Sequence, residues 1–350
     1  MKILFITTTT RVERPILDPS VRYRCYNHAE NLAAKGICAD VIAINLLTNK
    51  HIDQYDAFVF HRPQYSETIV TALEIIDSQN KVRLADYDDL IFGEENAELS
   101  SIYKNEILPK DACHKIFKEN ASALNLFDVV QTSSTPLAEQ VAKHNPTASV
   151  KVVPNGLSKR WLEIGDIFPS HRFRERIWIS YLSGTKSHDH DFALVSEALS
   201  RFIKEEKRAM LMVAGPLDYE TERFPPAQIV RVNYRDYWDL PALIKSTDIN
   251  ISALEPTLFN NCKSGLKFFE SGAFGVPTVA SPMTDLDRFS HSGLVYARNE
   301  MEWLQALKRL AMFSPEERTS LRQYCRVNAG SVVGTDILLN RITVLYNQRS

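Results

Sequence analysis

The chain has 350 residues, 44% hydrophobic and 24% charged, values that are typical of a folded globular protein and exclude general disorder. Its 41 basic and 43 acidic residues give a net charge of −2, so no overall positive charge favours nucleic acid as a partner. Five scattered cysteines, none spaced as C-x-x-C, indicate reduced thiols rather than a disulfide framework or a zinc site.

Short β-branched or aromatic runs alternate with helical patterns in the first half, as in parallel sheets covered by helices on both faces. The opening MKILFITTTT is a first strand, because its apolar run is too short for a signal peptide or a membrane span. The predicted strands cover residues 3–7, 39–44, 57–61, 82–86, 129–132 and 150–153. With no apolar segment long enough to cross a bilayer, we expect a cytoplasmic protein whose membrane contact, if any, is peripheral.

A domain boundary is predicted after VVPNGL (152–157), where turn chemistry is followed by weak periodicity. The strand pattern then restarts at 177–182, 210–214, 229–232, 249–254, 278–281 and 294–296. We expect two doubly wound, Rossmann-like α/β domains, 1–155 and 156–335, facing across a cleft, with ligands beyond the carboxyl ends of the strands. Whether the last helical pattern, 336–350, packs back on the first domain is open.

The segment NNCKSGLKFFESGAFGVPTVAS (260–281) concentrates charge just before a predicted strand. At 100° per residue, Lys263, Lys267 and Glu270 fall within about 60° on one helical face. Two ammonium groups one turn apart predict a bound diphosphate, and a carboxylate one turn further predicts hydrogen bonds to a ribose. The alternative is an ordinary amphipathic helix with a solvated polar stripe.

A second phosphate-binding element is predicted where SGTKSHDHDF (183–192) leads from a strand into a helix. Gly184 lets a phosphate approach the free amides of the helix N-terminus, and His188 is a candidate ligand-facing residue. Asp191 is expected to be the N-cap, so no metal site is predicted among its acidic and histidine neighbours. TTTTRVER after the first strand replaces the G-x-G-x-x-G of a nicotinamide-binding domain.

Three segments in chain order resemble the nucleotide-binding domain of GT-B fold glycosyltransferases. They are IWISYLSGTKSHDHDF (177–192), YRDYWDLPALIKSTDINISAL (234–254) and the 260–281 segment. KILFITTTT, PSVRYRCYNHAENLAAKG and VVPNGL resemble the opening and the end of the acceptor-side domain of these enzymes. The resemblance covers nearly the whole chain and is strongest to bacterial family 4 and family 1-like enzymes that build surface polysaccharides.

The resemblance implies a nucleotide-diphosphate-sugar donor, with Glu270 on the ribose, Lys263, Ser264 and Lys267 on the diphosphate, and the loop after residue 232 on the base. The nucleotide stays open among UDP, GDP and dTDP, and no separate cofactor or metal is expected. Cys262 stands where the common family 4 pattern has a second glutamate, which leaves the contacts to the sugar unassigned. The implied donor-binding residues are Gly184, Thr185, His188, Asn233, Tyr234, Lys263, Ser264, Lys267 and Glu270.

Sugar transfer requires stabilisation of the departing charge, for which Lys263 and Lys267 are the candidates. The resemblance implies retention, in which the leaving phosphate takes the acceptor proton. Inversion would need a base, and the candidates are His61 and the aspartates Asp86, Asp88 and Asp89 of the acidic run LADYDDLIF (84–92). Local hydrogen bonding of the histidine and turn formation by the aspartates are the alternatives.

Arg22 and Arg24 are interpreted either as acceptor-orienting or as solvated residues. HRFRERIW (171–178) is interpreted as a charged linker, with membrane contact as the alternative.

The sequence therefore predicts a metal-independent glycosyltransferase acting on a glycan or lipid-linked glycan acceptor in bacterial surface polysaccharide (O-antigen or capsule) synthesis. The alternatives are a nucleotide-sugar epimerase of the same fold and a non-catalytic two-domain binding protein. A response-regulator role for the DYDD turn is disfavoured, because a receiver domain does not need the KSGLK segment.

Overall fold

A computed structural model describes residues 1–168, 175–184, 189–289, 293–330 and 334–349. The chain divides into two compact units. Unit 1 comprises Met1–Lys159, Asn261–Ser264 and Val333–Ser350, and unit 2 comprises Arg160–Asn260 and Gly265–Val332. The chain therefore leaves unit 2 for four residues and returns to it at Gly265.

Unit 1 contains a parallel six-stranded sheet of order β2-β1-β3-β4-β5-β6. Apolar side chains on one face of these strands pack with α15, which places the core between this sheet face and the helices. The strands are β1 (Lys2–Thr7), β2 (Cys38–Ala43), β3 (Ala57–His61), β4 (Val82–Tyr87), β5 (Val129–Thr132) and β6 (Ser149–Val152). The helices are α1 (Pro19–Val21), α2 (Asn27–Ala33), α3 (Asn49–Gln54), α4 (Glu67–Ser78), α5 (Ser101–Lys104), α6 (Lys110–Leu124), α7 (Thr135–His144) and α15 (Gly334–Arg349).

A π-helical turn, Arg22–Tyr26, interrupts the first helical segment of unit 1. The sequence predicts one regular helix over 21–35, so this interruption is a correction. Such turns widen the helix by one residue and often mark functional sites. Here the turn buries both Arg22 and Arg24 beside the sheet.

Unit 2 contains a second parallel six-stranded sheet, of order β12-β11-β10-β7-β8-β9. Its core includes Ile179, Leu211 and Ile251 from neighbouring strands, packed with Val195 and Leu307 from two helices. The strands are β7 (Ile177–Leu182), β8 (Ala209–Ala214), β9 (Ile229–Val232), β10 (Ile249–Ser252), β11 (Thr278–Ala280) and β12 (Leu294–Tyr296). The helices between the two sequence segments that make up most of unit 1 are α8 (Lys159–Ile167), α9 (Asp189–Glu205), α10 (Leu240–Lys245), α11 (Leu258–Asn261), α12 (Leu266–Ala273), α13 (Glu300–Ala311) and α14 (Pro315–Gly330).

All twelve strands predicted from the sequence are confirmed, with ends that shift by at most two residues. The prediction of two Rossmann-like α/β domains is confirmed as well. No helix in the described parts of the chain combines the length and the apolar character that crossing a membrane requires.

Candidate active site

The strand order of unit 2 places a topological switch point between β7 and β10. From β7 the chain proceeds through β8 and β9 on one side, and then crosses to β10 on the other side. Ligands of such sheets bind beyond the carboxyl ends of the strands at this point. The residues that follow β7 and β10, together with the helices packed beside them, therefore form the candidate ligand site of this unit.

Lys267 and Glu270 lie three residues apart on α12, on neighbouring positions of one helical face. The Nζ of Lys267 lies 4.8 Å from the centroid of the Tyr181 ring of β7, a cation–π contact. The carbonyl oxygen of Lys267 accepts a hydrogen bond of 3.3 Å from Asn250 Nδ2 of β10. The lysine is thereby tied to both strands of the switch point, and Glu270 beside it is 8% exposed.

Lys263 does not share that helical face, contrary to the sequence prediction. It lies in the loop between α11 and α12, within the four residues that belong to unit 1. The loop is fixed there because Ser134 Oγ donates to the Cys262 carbonyl at 2.6 Å and Asn155 Nδ2 donates to Ser264 Oγ at 2.7 Å. The predicted pair of lysines one turn apart is therefore wrong.

Gly265 directly precedes α12 and packs closely against the residues that follow β11. Its amide donates to Asp285 Oδ2 at 2.8 Å, and a Cβ on this residue would lie 2.3 Å from Leu286 Cδ2. A larger residue here would therefore require the Leu286 side chain to move.

Gly184 follows β7 at the switch point, and a Cβ on it would meet no atom of the described residues within 4 Å. The described residues thus leave space beside its backbone, as a phosphate would need. Asp191, predicted to cap the next helix, instead lies inside α9, is buried, and accepts the Glu255 amide at 2.9 Å. The capping prediction is therefore wrong. Thr185 and His188 lie outside the described residues.

Asn233 and Tyr234 follow β9, the edge strand of the second sheet, and both are exposed. Two strand spacings separate β9 from β7, which is about 10 Å. This distance is of the size that separates a nucleotide base from its phosphates. The structure thus places the proposed base-binding loop and the Gly184 turn along one edge of the same sheet.

In unit 1 the switch point lies between β1 and β3, because β2 flanks β1 on one side and the later strands continue from β3 on the other. Thr7, His61, Asp86 and Gln131 are register partners across β1, β3, β4 and β5, so their side chains share one face. All four are buried. The Gln131 amide nitrogen and oxygen are both without a hydrogen-bond partner among the described residues.

Arg24 and Asp86 form an ion pair whose side chains are fully buried. Arg24 Nε donates to Asp86 Oδ2 at 3.0 Å, and Arg24 NH1 donates to the Val153 carbonyl at 2.7 Å and to Asn155 Oδ1 at 3.0 Å. Arg22 pairs with Glu30 at 2.7 Å. The interpretation of these arginines as solvated is therefore wrong. Arg24 instead holds Asp86 in place and links it to the segment after β6.

His61, the last residue of β3, joins a hydrogen-bonded network with Ser20 and Asp88. Its Nδ1 lies 3.2 Å from Thr7 Oγ1 and its Nε2 lies 2.9 Å from Ser20 Oγ. Ser20 Oγ donates to Asp88 Oδ2 at 2.6 Å, and Arg62 Nε donates to Asp88 Oδ1 at 2.6 Å. Two of the candidate bases, His61 and Asp88, are thus brought together at the carboxyl ends of β3 and β4.

The aspartates at the end of β4 differ in their pKa values. Burial alone would raise the pKa of Asp88, but Arg62 and then His61 hold it well below its usual range. For Asp89, burial raises the pKa, and Arg62 and Lys263 offset only part of that effect. Asp88 is therefore a firmly ionised anchor, whereas Asp89 binds a proton more readily.

Sequence reasoning missed Ser20, Arg62 and Gln131 as members of this edge. No motif marks them, and the sign that finds them is positional, since each sits at the start of a helix or near the carboxyl end of a strand of this sheet. Among the described residues, no group of three or more His, Cys, Asp and Glu side chains is arranged to hold a metal ion.

Part of the chain matches a known family, and nearly all of it is similar in fold to solved structures. Residues 195–330 match a family described as glycosyl transferase-like, and no curated protein sequence matches the chain. The sucrose-phosphate synthase of Thermosynechococcus elongatus has 14% identity and a TM-score of 0.63, over 99% of both chains. Anabaena Alr3699/HepE, in complex with UDP-glucose, has 13% identity and a TM-score of 0.64, over 99% of this chain and 100% of that one. WaaG, a glycosyltransferase involved in lipopolysaccharide biosynthesis, has 11% identity and a TM-score of 0.58, over 98% and 99%.

This protein has the GT-B glycosyltransferase fold. The resemblance noted in the sequence is confirmed, and apart from Asn261–Ser264 the family match covers residues of unit 2, where Lys267 and Glu270 are found. The family match and the shared fold together bear out the expectation of a glycosyltransferase. The edge of the second sheet is thus the candidate donor side.

Proposed function

We propose that the protein transfers a sugar, with retention, from a nucleotide-diphosphate sugar to a glycan or lipid-linked glycan acceptor in bacterial surface polysaccharide (O-antigen or capsule) synthesis. The observation that carries this proposal is the position of Lys267 and Glu270 at the switch point of the second sheet. A cation tied to β7 and β10 and a carboxylate one helical turn further suit a diphosphate followed by a ribose.

The donor site is proposed to lie in the domain 156–335 and the acceptor site in the domain 1–155. Lys267 stabilises the charge of the departing phosphate, Glu270 accepts from the ribose hydroxyls, and the Gly184 turn leaves room for the phosphates. Asn233 and Tyr234 hold the base. Lys263, Ser264, Thr185 and His188 are retained as proposed donor contacts, and His61 and Asp88 as the groups that an inverting reaction would use.

UDP is the first nucleotide to test, since HepE is seen in complex with UDP-glucose. We propose a cytoplasmic protein that meets its lipid-linked acceptors at the inner face of the cell membrane. This location fits reduced cysteines, all five of which are free thiols.

Calorimetric titration with UDP, GDP and dTDP tests the proposal and identifies the base in one experiment. We expect one nucleotide to bind at micromolar to millimolar concentration and Glu270→Gln to weaken it. Incubation with the matching nucleotide sugars then separates the functions: transfer supports the proposal, an epimerised donor indicates the epimerase alternative, and binding of none of the three nucleotides contradicts both.

A further inference from the structure

The three aspartates at the end of β4 have different numbers of hydrogen-bond partners. Asp86 Oδ1 and Oδ2 both face Arg24, and the residue is fully buried. Asp88 accepts from Ser20 on one oxygen and from Arg62 on the other. Asp89 accepts only through Oδ2, from Arg62 NH2 at 3.0 Å, so its Oδ1 accepts no hydrogen bond from the described residues. Asp89 is also the most exposed of the three, at 26% for its side chain.

The proton positions in the Ser20 network leave His61 without a ring nitrogen that could accept a hydrogen bond from a ligand. Ser20 has a single hydroxyl proton, which it donates to the Asp88 carboxylate. His61 Nε2 must then donate its own proton to Ser20 Oγ, and the other ring nitrogen lies against Thr7. The histidine and the serine therefore position Asp88 and Arg62, and neither offers an open acceptor atom.

Arg62 is held rigidly beside Asp89 in a backbone conformation that residues other than glycine rarely adopt, with φ of +48°. Its amide donates to the Asp86 carbonyl at 2.8 Å, and its own carbonyl accepts from Thr8 Oγ1 at 2.6 Å. The guanidinium reaches both Asp88 and Asp89, and its NH1 makes no hydrogen bond with the described residues. A donor and an acceptor thus stand side by side, both fixed.

We propose that Asp89 and Arg62 bind adjacent hydroxyl groups of the acceptor sugar, with Asp89 accepting from the hydroxyl that attacks the donor. The pair suits a neutral polyol, because each sugar hydroxyl both donates and accepts and the two side chains carry opposite charges. A phosphate or carboxylate fits less well, since Asp88 and Asp89 both lie beside the guanidinium.

This inference rests on the proposed function. In the transfer step the acceptor oxygen forms a bond to C1 of the donor sugar while the bond from C1 to the phosphate oxygen breaks. The hydroxyl proton passes to the departing phosphate, so Asp89 orients the hydroxyl and keeps its own protonation state.

Saturation-transfer NMR on the full-length protein with UDP present tests the pair. The probes are the methyl α-glycosides of glucose, galactose, mannose and rhamnose at millimolar concentration. At least one should bind the wild type, and Asp89→Asn should weaken it by about tenfold, as expected for the loss of one hydrogen bond to a charged group. Asp77→Asn, which removes an exposed carboxylate paired with Arg83 in the same unit, should leave glycoside binding unchanged.

Melting curves and a second variant, Asp89→Ser, separate loss of binding from loss of folding. Unchanged glycoside binding in folded Asp89→Asn and Asp89→Ser, or no glycoside bound by the wild type, would overturn the inference. UDP affinity measured in the same samples should be unaffected by both variants. Failure of UDP to bind the wild type would instead count against the proposed function.

Discussion

The carboxyl edges of the two sheets are built differently. In unit 1 the edge is a closed network, in which Arg24 pairs with Asp86, Arg62 pairs with Asp88 and Asp89, and a histidine and a serine are shared between them. In unit 2 the edge has Gly184, beside which no described atom lies within 4 Å of a Cβ position, and a lysine over an aromatic ring. With Lys263, whose charge acts on Asp89, three cations of the first edge balance its three aspartates, whereas the second edge presents Lys267. This difference is the basis for proposing a neutral ligand for unit 1 and an anion for unit 2.

The closed network should be broken most severely by Asp86→Asn. This substitution leaves the Arg24 guanidinium buried without its counter-ion, and breaking a buried ion pair from one side costs about 3–5 kcal/mol. Urea unfolding of the variant measures the loss. Asp77→Asn is the matched control. It removes an exposed carboxylate that pairs with Arg83, and the loss of this pair should cost about 1 kcal/mol or less. Equal losses in the two variants would show that the closed network is no more stabilising than the surface.

At the carboxyl edge of unit 2, Glu270→Gln should weaken nucleotide binding. Loss of a hydrogen bond to a charged acceptor costs about 1.5–3 kcal/mol, which corresponds to a decrease in nucleotide affinity of roughly 10- to 150-fold. Calorimetry on the variant gives the value. Glu222→Gln, an exposed substitution in the same unit, serves as the control. An affinity within about twofold of wild type would remove Glu270 from the site.

A second buried histidine, His28, predicts a dependence of the free energy of unfolding on pH. Burial, and then the charge of Arg24, lowers the pKa of His28 to about 3, from its ordinary value of 6.5. The folded state therefore binds fewer protons than the unfolded chain between these pH values, and stability falls as the pH decreases below 6.5. The slope from this group is about 1.4 kcal/mol per pH unit, and it vanishes above pH 6.5.

His28→Gln should flatten that slope between pH 6.5 and 4.5, measured by urea unfolding at each pH. His190→Gln, at an exposed histidine of unit 2, should leave it unchanged. An unchanged slope in His28→Gln would mean that this histidine is already accessible to protons in the folded protein.

The smallest effect is expected from Lys263→Ala, although the resemblance implies that Lys263 binds the diphosphate. Its loop belongs to unit 1, and its charge acts on Asp89. We expect the nucleotide affinity to fall by about threefold or less, which corresponds to about 0.7 kcal/mol. A decrease as large as that of Glu270→Gln in the same titration would make Lys263 a principal contact of the diphosphate.

The sequence was sufficient to predict the strands and their carboxyl ends, because short β-branched or aromatic runs and turn residues act locally. It failed at Lys263, where the helical periodicity of the sequence continues through Gly265 but the helix itself begins only at Leu266. The hydrogen bonds from Ser134 and Asn155 that hold the loop link residues more than one hundred positions apart. The buried Arg24 was missed for the same reason, since its partner Asp86 is 62 positions away. Long-range pairs of this kind have no local pattern to announce them.

The most direct test of the donor site is calorimetric titration of Lys267→Met and Lys204→Met with the nucleotide that binds the wild type. Methionine keeps the unbranched apolar stem of lysine and removes only the charge, and Lys204 is an exposed lysine of the same unit. We predict that Lys267→Met lowers nucleotide affinity by about 10- to 150-fold and that Lys204→Met leaves it unchanged. Equal affinities for the two variants would contradict the assignment of the diphosphate to the switch point of the second sheet.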